Sequence, residues 1–235
     1  MPRAVPRILL IPFLSLVSAQ AAGDSSRAPV LVELFTSEGC SSCPPADRLL
    51  EQLDSRAIVL SEHVDYWDHL GWRDPFSSAA FSLRQESYGR QFRLDSVYTP
   101  EMVVDGAVEF TGADAVRANA EIAKAARRKK ATVRIARTGA GLEIAVDDAP
   151  RSADVYLALA DDSGTSQVAA GENRGRNLRY VAIVRGIRKI GSVRRGVEFH
   201  KVMELPTGSG AQRIVVFLQE DGTGEISGTA LLGPL

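Results

Sequence analysis

The chain's two cysteines stand as Cys40-Ser41-Ser42-Cys43, and this spacing sets the chemistry to consider. Two thiols so placed can close into a small disulfide ring and reopen. Three uses of the pair follow. One is thiol–disulfide exchange, in which Cys40 attacks and Cys43 resolves the mixed disulfide. The second is a structural staple, although a loop this short constrains little of the unfolded chain. The third is a soft metal site for copper or zinc, with the thiolates joined by His63 or His69. Only three histidines exist, and none has the Cys/His spacing of structural zinc sites.

The neighbouring elements favour exchange. Residues 30–35 (VLVELF) form a short apolar run suited to a buried strand. Residues 36–39 make a turn. From Pro45, PADRLLEQL sets Ala46, Leu49, Leu50 and Leu53 on one helical face, and residues 57–64 (AIVLSEHV) form a second strand. Strand, Cys-bearing turn, amphipathic helix and strand make a βαβ unit with a right-handed crossover. The pair then lies at a helix N-terminus, whose dipole stabilises a thiolate. Cys40 is expected to be the exposed nucleophile with a depressed pKa, and Cys43 to lie deeper. Pro44 and Pro45 fit the first helical positions, where missing amides cost least.

Beyond residue 65 comes a polar and aromatic loop, YWDHLGWRDPF. A helix follows over 77–92, then a strand at 102–104, an Asp105-Gly106 hairpin turn, a returning strand at 107–110 and a helix over about 113–130. Trp67, His69 and Trp72 either wall a substrate site or pack the loop onto the core. His63, within a strand, reads as a core histidine. The Arg127–Lys130 run suits the helix C-terminus and a solvated face. After residue 131 the pattern becomes short strands (132–136, 142–146, 155–160, 180–184, 213–218) between Gly-, Asp- and Pro-bearing turns, as in an antiparallel sandwich. Arg174, Arg176, Arg179, Arg185, Arg188, Lys189, Arg194 and Arg195 make this part basic, either as solvated strand edges or as a surface for an acidic partner. GENRGRN has glycines but lacks the lysine and spacing of a phosphate loop.

The N-terminus indicates destination. Arg3 and Arg7 precede an apolar stretch, Ile8–Val17, and Ala19-Gln20-Ala21 matches a cleavage site, so residues 1–22 read as a signal peptide. That stretch is far shorter than the roughly 20 residues needed to span a bilayer. Across all 235 residues the net charge is -1 and hydrophobic residues make up 45%, which argues for a folded protein with no general affinity for nucleic acid or anionic membrane.

At these residues the sequence resembles the thioredoxin superfamily over about 30–130. Thr99-Pro100, before Met102-Val103-Val104, looks like that family's cis-proline element. The resemblance implies that Thr99 and Pro100 present backbone to a substrate strand, and that Glu33 acts as the buried acid relaying protons to the resolving thiol. More narrowly, VELFTSEGCSSCPPAD, HVDYWDHLGW, YTPEMVVDG and GENRGRNLRYVAIVR resemble a bacterial exported family of unknown function. The Ser-Ser dipeptide matches neither the Gly-Pro of reducing thioredoxins nor the Pro-His of periplasmic oxidants, so the direction of electron flow stays open.

The expectation is an α/β chain: a signal peptide at 1–22, a thioredoxin-like domain at 29–130 and a β-rich, sandwich-like domain at 131–235. The expected site is catalytic Cys40 and Cys43, substrate-binding Thr99 and Pro100, and relay Glu33, with no cofactor and no metal. Expected partners are protein thiols or disulfides, with no nucleic acid and no membrane after cleavage, in the periplasm or outside the cell. Periplasmic copper or zinc handling and a non-catalytic binding module are the alternatives.

Overall fold

Leu31–Thr36 is buried at every position, because helices cover both faces of the sheet where it sits. In this computed structural model, residues 28–139, 141–205, 212–220 and 224–233 are described. The segment read as a signal peptide lies outside them. Among the described residues no helix is long and apolar enough to cross a membrane.

The first half runs β1 (Leu31–Thr36), α1 (Pro44–Leu53), β2 (Ile58–His63), a 3₁₀ turn at Asp68–Leu70, α2 (Ala79–Phe92), β3 (Glu101–Val104), β4 (Val108–Thr111) and α3 (Ala115–Ala125). Strand β1 pairs in parallel with β2 and antiparallel with β3, which pairs antiparallel with β4. The expected βαβ, α, β-hairpin, α order is therefore present, and the architecture is a thioredoxin-like α/β unit followed by β-rich structure. Pro44 and Pro45 take the first two helical positions of α1. Asp114 caps α3 by accepting from the Arg117 amide at 2.9 Å. The β3–β4 turn falls at Asp105-Gly106, both with positive φ (50° and 61°), as a tight primed turn requires.

The second half consists of β5 (Thr132–Thr138), β6 (Gly141–Asp147), β7 (Ala153–Gln167), β8 (Asn177–Val193), β9 (Phe199–Met203), β10 (Gln212–Gln219) and β11 (Ile226–Leu232). It does not stand apart from the first half. Strand β8 joins β2 in parallel at Ser61 and Ile183, giving one eight-stranded sheet in the order β11-β10-β7-β8-β2-β1-β3-β4. A second sheet, β5-β6-β9, packs over the far end through Leu142, Ile144 and Val146 against Val155, Leu157, Ile214 and Val216. The sandwich is thus real, but one of its sheets is the extended edge of the α/β sheet. On the same face Val32 and Leu34 meet α1 and α3, while on the other Phe35 and Val103 meet Tyr88 of α2.

Helix α3 ends at Ala125 rather than near Lys130. Lys130 is not on a solvated face. Its ammonium is 2.5 Å from Asp105 and both side chains are buried, so the chain leaves the helix to make this pair.

Candidate functional site

The cysteine loop leaves β1 at Thr36 and turns back at once. The Gly39 amide donates to Ser37 Oγ at 3.1 Å, and the Cys40 amide donates to the Ser37 carbonyl at 3.2 Å. Cys43 is the residue before the first turn of α1, and its amide donates to the Cys40 carbonyl at 3.2 Å. The two sulfurs form a disulfide with Cα atoms 5.4 Å apart, and Cys40 Sγ lies 3.4 Å from Ser42 Oγ. Gly39 has no room for a side chain, because a Cβ there would come within 2.9 Å of Trp67 Cβ.

Trp67 connects this loop to Thr99. Its indole N–H donates to Thr99 Oγ1 at 2.8 Å, and the Thr99–Pro100 peptide is cis. Pro100 is buried beside α1: at Gly112 a Cβ would sit 3.2 Å from Pro100 Cβ and 3.3 Å from Ala46 Cβ. Trp67 and Trp72 are half-buried and tie loops together, whereas His69 is exposed. Trp72 donates to Glu38 Oε2 at 2.7 Å.

Buried polar groups lie behind the pair. His63 Nδ1 is 2.7 Å from Asp74 Oδ2, with both side chains fully buried, and the same carboxylate accepts the Glu38 amide at 2.9 Å. Burial opposes charge on His63, but Asp74, with Asp47 and Glu38 beyond it, holds the histidine pKa above its usual value. Burial also works against the Asp74 charge, and His63 outweighs it, so the Asp74 pKa is lowered. Asp47, one turn after Cys43 on α1, accepts from Thr36 Oγ1 at 2.8 Å, and burial pushes its pKa up to about 7. Glu38 is raised too, first by burial and then by the Asp74 charge. His63 is the core residue expected, held by a buried ion pair that the sequence did not announce.

Glu33 is buried, but on the other face. Its carboxylate accepts from Arg84 Nε at 2.7 Å and from Tyr88 Oη at 2.6 Å, beneath α2. Strand alternation separates it from Val32, Leu34 and Thr36, which face α1. The buried acids on the cysteine side are instead Asp47, Glu38 and Asp74. Glu62 sits beside Glu33, and burial together with the Glu33 charge keeps the Glu62 pKa well above the usual carboxylate range.

The expected exposure of Cys40 is not found: both cysteines have 0% exposure. Against this loop lies the turn between β7 and β8, from the far half of the chain. Asn173 is buried there, and its side-chain amide donates to the carbonyls of Glu38 at 2.9 Å and Cys40 at 2.8 Å. Glu172 accepts the Ser41 amide at 3.1 Å. At Gly171 a Cβ would lie 3.4 Å from Trp72 Cβ, so the tip also rests on the Trp72 segment. Among the described residues no group of three or more His, Cys, Asp or Glu is placed to hold a metal ion.

The model of the family described as protein of unknown function DUF1223 matches residues 31–219. The chain belongs to the DUF1223 family. The matched segment takes in both the cysteine loop and the strands that cover it. A crystallographically solved protein of Agrobacterium tumefaciens is similar to this DUF1223 chain, with 27% identity and a TM-score of 0.75 over 88% of this chain and 94% of the other. HBP35 of Porphyromonas gingivalis, at 12% identity and a TM-score of 0.50, shares the fold over 89% of this chain and 76% of its own. A search of curated proteins returned no match.

Proposed function

We propose that this DUF1223 protein is an exported thiol–disulfide oxidoreductase of the thioredoxin superfamily, acting on protein thiols or disulfides through Cys40 and Cys43. The observation that carries the reading is a closed Cys40–Cys43 ring at the N-terminus of α1, linked through Trp67 to the cis Thr99–Pro100 segment. In the exchange a partner thiolate attacks Cys40 Sγ, the Cys40–Cys43 bond breaks and Cys43 leaves as a thiolate. A second partner thiolate then attacks the partner's own sulfur, closing the partner's disulfide and releasing Cys40. The reverse sequence reduces the partner's disulfide. In this reading Asp47 exchanges the proton of Cys43, and Thr99 and Pro100 dock the partner backbone.

The test is the reduction potential of the pair, measured by equilibration with glutathione. A value between about -230 and -120 mV supports exchange, and one below about -300 mV refutes it. Trapping of mixed disulfides by the Cys43→Ala variant in exported-protein extracts provides the second readout.

The complete burial of both sulfurs favours a second reading, a β-rich binding module in which the disulfide is a staple. Under that reading the native disulfide resists dithiothreitol and yields only after unfolding.

A further inference from the structure

The cover over Cys40 is itself a clue to what displaces it. A carboxylate, that of Glu172, lies on the Ser41 amide just ahead of α1, and the hydrogen bonds to Ser41 pull the Glu172 pKa down. A carboxamide, that of Asn173, spans two backbone carbonyls of the same loop. These are contacts a polypeptide with acidic side chains would make.

The surroundings carry the opposite charge. Arg174, Arg176 and Arg179 are exposed on the tip and the start of β8, Arg73 beside the Trp72 segment, and Arg48 on α1. Arg179 is paired with Glu51, and Arg176 donates to Asn173 Oδ1 at 3.0 Å. Arg48, Arg73 and Arg174 have no ion-pair partner among the described residues. A groove of about 210 Å³ runs beside Pro44 between α1 and β8, lined by Arg48 and Arg179 and also by Asp47, Glu51 and Asn177. Of the exposed large apolar side chains, Leu70 stands on the segment that carries Trp72 and Arg73 and none lies on the tip or on α1, fewer anchors than a membrane surface needs.

We propose that this arginine rim docks an acidic segment of the partner protein, whose carboxylates replace Glu172 at the Ser41 amide and lift the β7–β8 tip from Cys40. This rests on the redox reading and names its substrate class: cysteines set among aspartates and glutamates. Attraction between the rim and the segment gathers the partner, and loss of the Glu172 and Asn173 contacts opens the sulfur to it.

The experiment uses the full mature chain in its disulfide form. The reductants are short synthetic peptides with one central cysteine flanked by glutamates, glutamines or lysines, with rates expressed per thiolate. At low ionic strength the glutamate peptide should reduce the protein at least about tenfold faster than the lysine peptide. The gap should close in about 1 M salt, where screening acts within about 3 Å. The double variant Arg48→Glu, Arg174→Glu should invert the order; both side chains are exposed, so the fold is preserved. Equal rates for all three peptides, with dithiothreitol still reducing the native protein, overturn the acidic-partner proposal and leave the redox reading standing. A native disulfide inert to dithiothreitol and reducible only in urea overturns both.

Discussion

The side-chain amide of Asn173 lies 2.8 Å from the carbonyl oxygen of Cys40, although 133 positions separate the two residues. A second bond from the same nitrogen reaches the Glu38 carbonyl. One buried carboxamide thus fastens a turn of the β-rich half onto the cysteine loop.

Asn173→Ala removes both bonds. Stability should fall by roughly 1–3 kcal/mol, the range for buried hydrogen-bonding groups that lose a partner. Reduction of Cys40–Cys43 by dithiothreitol should accelerate about tenfold, because local opening then costs less. Stopped-flow reduction and urea denaturation measure the two effects. An unchanged reduction rate would mean that the tip does not control access.

Asp47 gives a pH signature. Its folded pKa of about 7 lies above its ordinary 3.8, so its contribution to stability is complete below about pH 4 and is lost as pH rises through 7. Asp47→Asn should erase that slope and be more stable than the parent at pH 8, by roughly 1–3 kcal/mol. The rate of exchange should also lose its step near pH 7. Urea midpoints and reduction rates at pH 5 and pH 8 decide; parallel profiles for parent and variant would remove Asp47 from the proton path.

For His63 and Asp74 the two signs differ. The raised His63 pKa gives stability that is full below about 6.5 and lost as pH rises through its folded value; the lowered Asp74 pKa gives stability lost as pH falls through its own. The pair therefore stabilises most between those limits. Asp74→Asn takes from His63 its directly bonded counter-charge, leaving only the more distant Asp47 and Glu38, and weakens the acceptor for the Glu38 amide, at a cost of roughly 3–5 kcal/mol. Hydrogen exchange should show the Glu38 amide losing protection first. Intact protection there would break the proposed link between the pair and the cysteine loop.

Glu33 and Glu62 should respond unequally. Glu33→Gln breaks a buried ion pair with Arg84 and should cost roughly 3 kcal/mol, whereas Glu62→Gln removes a carboxyl 3.6 Å from the same guanidinium whose ionisation burial and the Glu33 charge oppose, and should cost less. Neither should move the Cys40–Cys43 potential by more than about 30 mV. A larger shift with Glu33→Gln would restore the relay role to that residue.

Much of the α/β half was legible because its elements are short and strongly patterned. The run at β1, the leucine face of α1 and Asp105-Gly106 each carry a local signal. The β-rich half was read less fully. Strand β9 is a five-residue edge with alternating exposure, and β11 contains Gly228, where a Cβ would press on Ala131 at 3.0 Å. Neither has the apolar run that marks a strand. The outer parts of β7 and β8 are polar, so their lengths of 15 and 17 residues do not show in hydropathy. At the site, Cys40 and Cys43 follow from a local motif, and the cis Thr99–Pro100 bond from the family resemblance. The burial of Cys40 does not, because it depends on a polar turn brought in by long-range topology. Asp47 carried a signal that could have been used: an acid on the apolar face of α1, one turn after a cysteine.

The pairing of β8 with β2 governs how this protein can be dissected. A fragment stopping near residue 130 would bare the backbone donors and acceptors along β2, inviting association with other chains. It would also lose the turn that is fastened to the cysteine loop. Activity recovered from such a fragment would report an unguarded and aggregation-prone thiol pair, so splitting the gene at the apparent boundary is the wrong way to assign work to its halves.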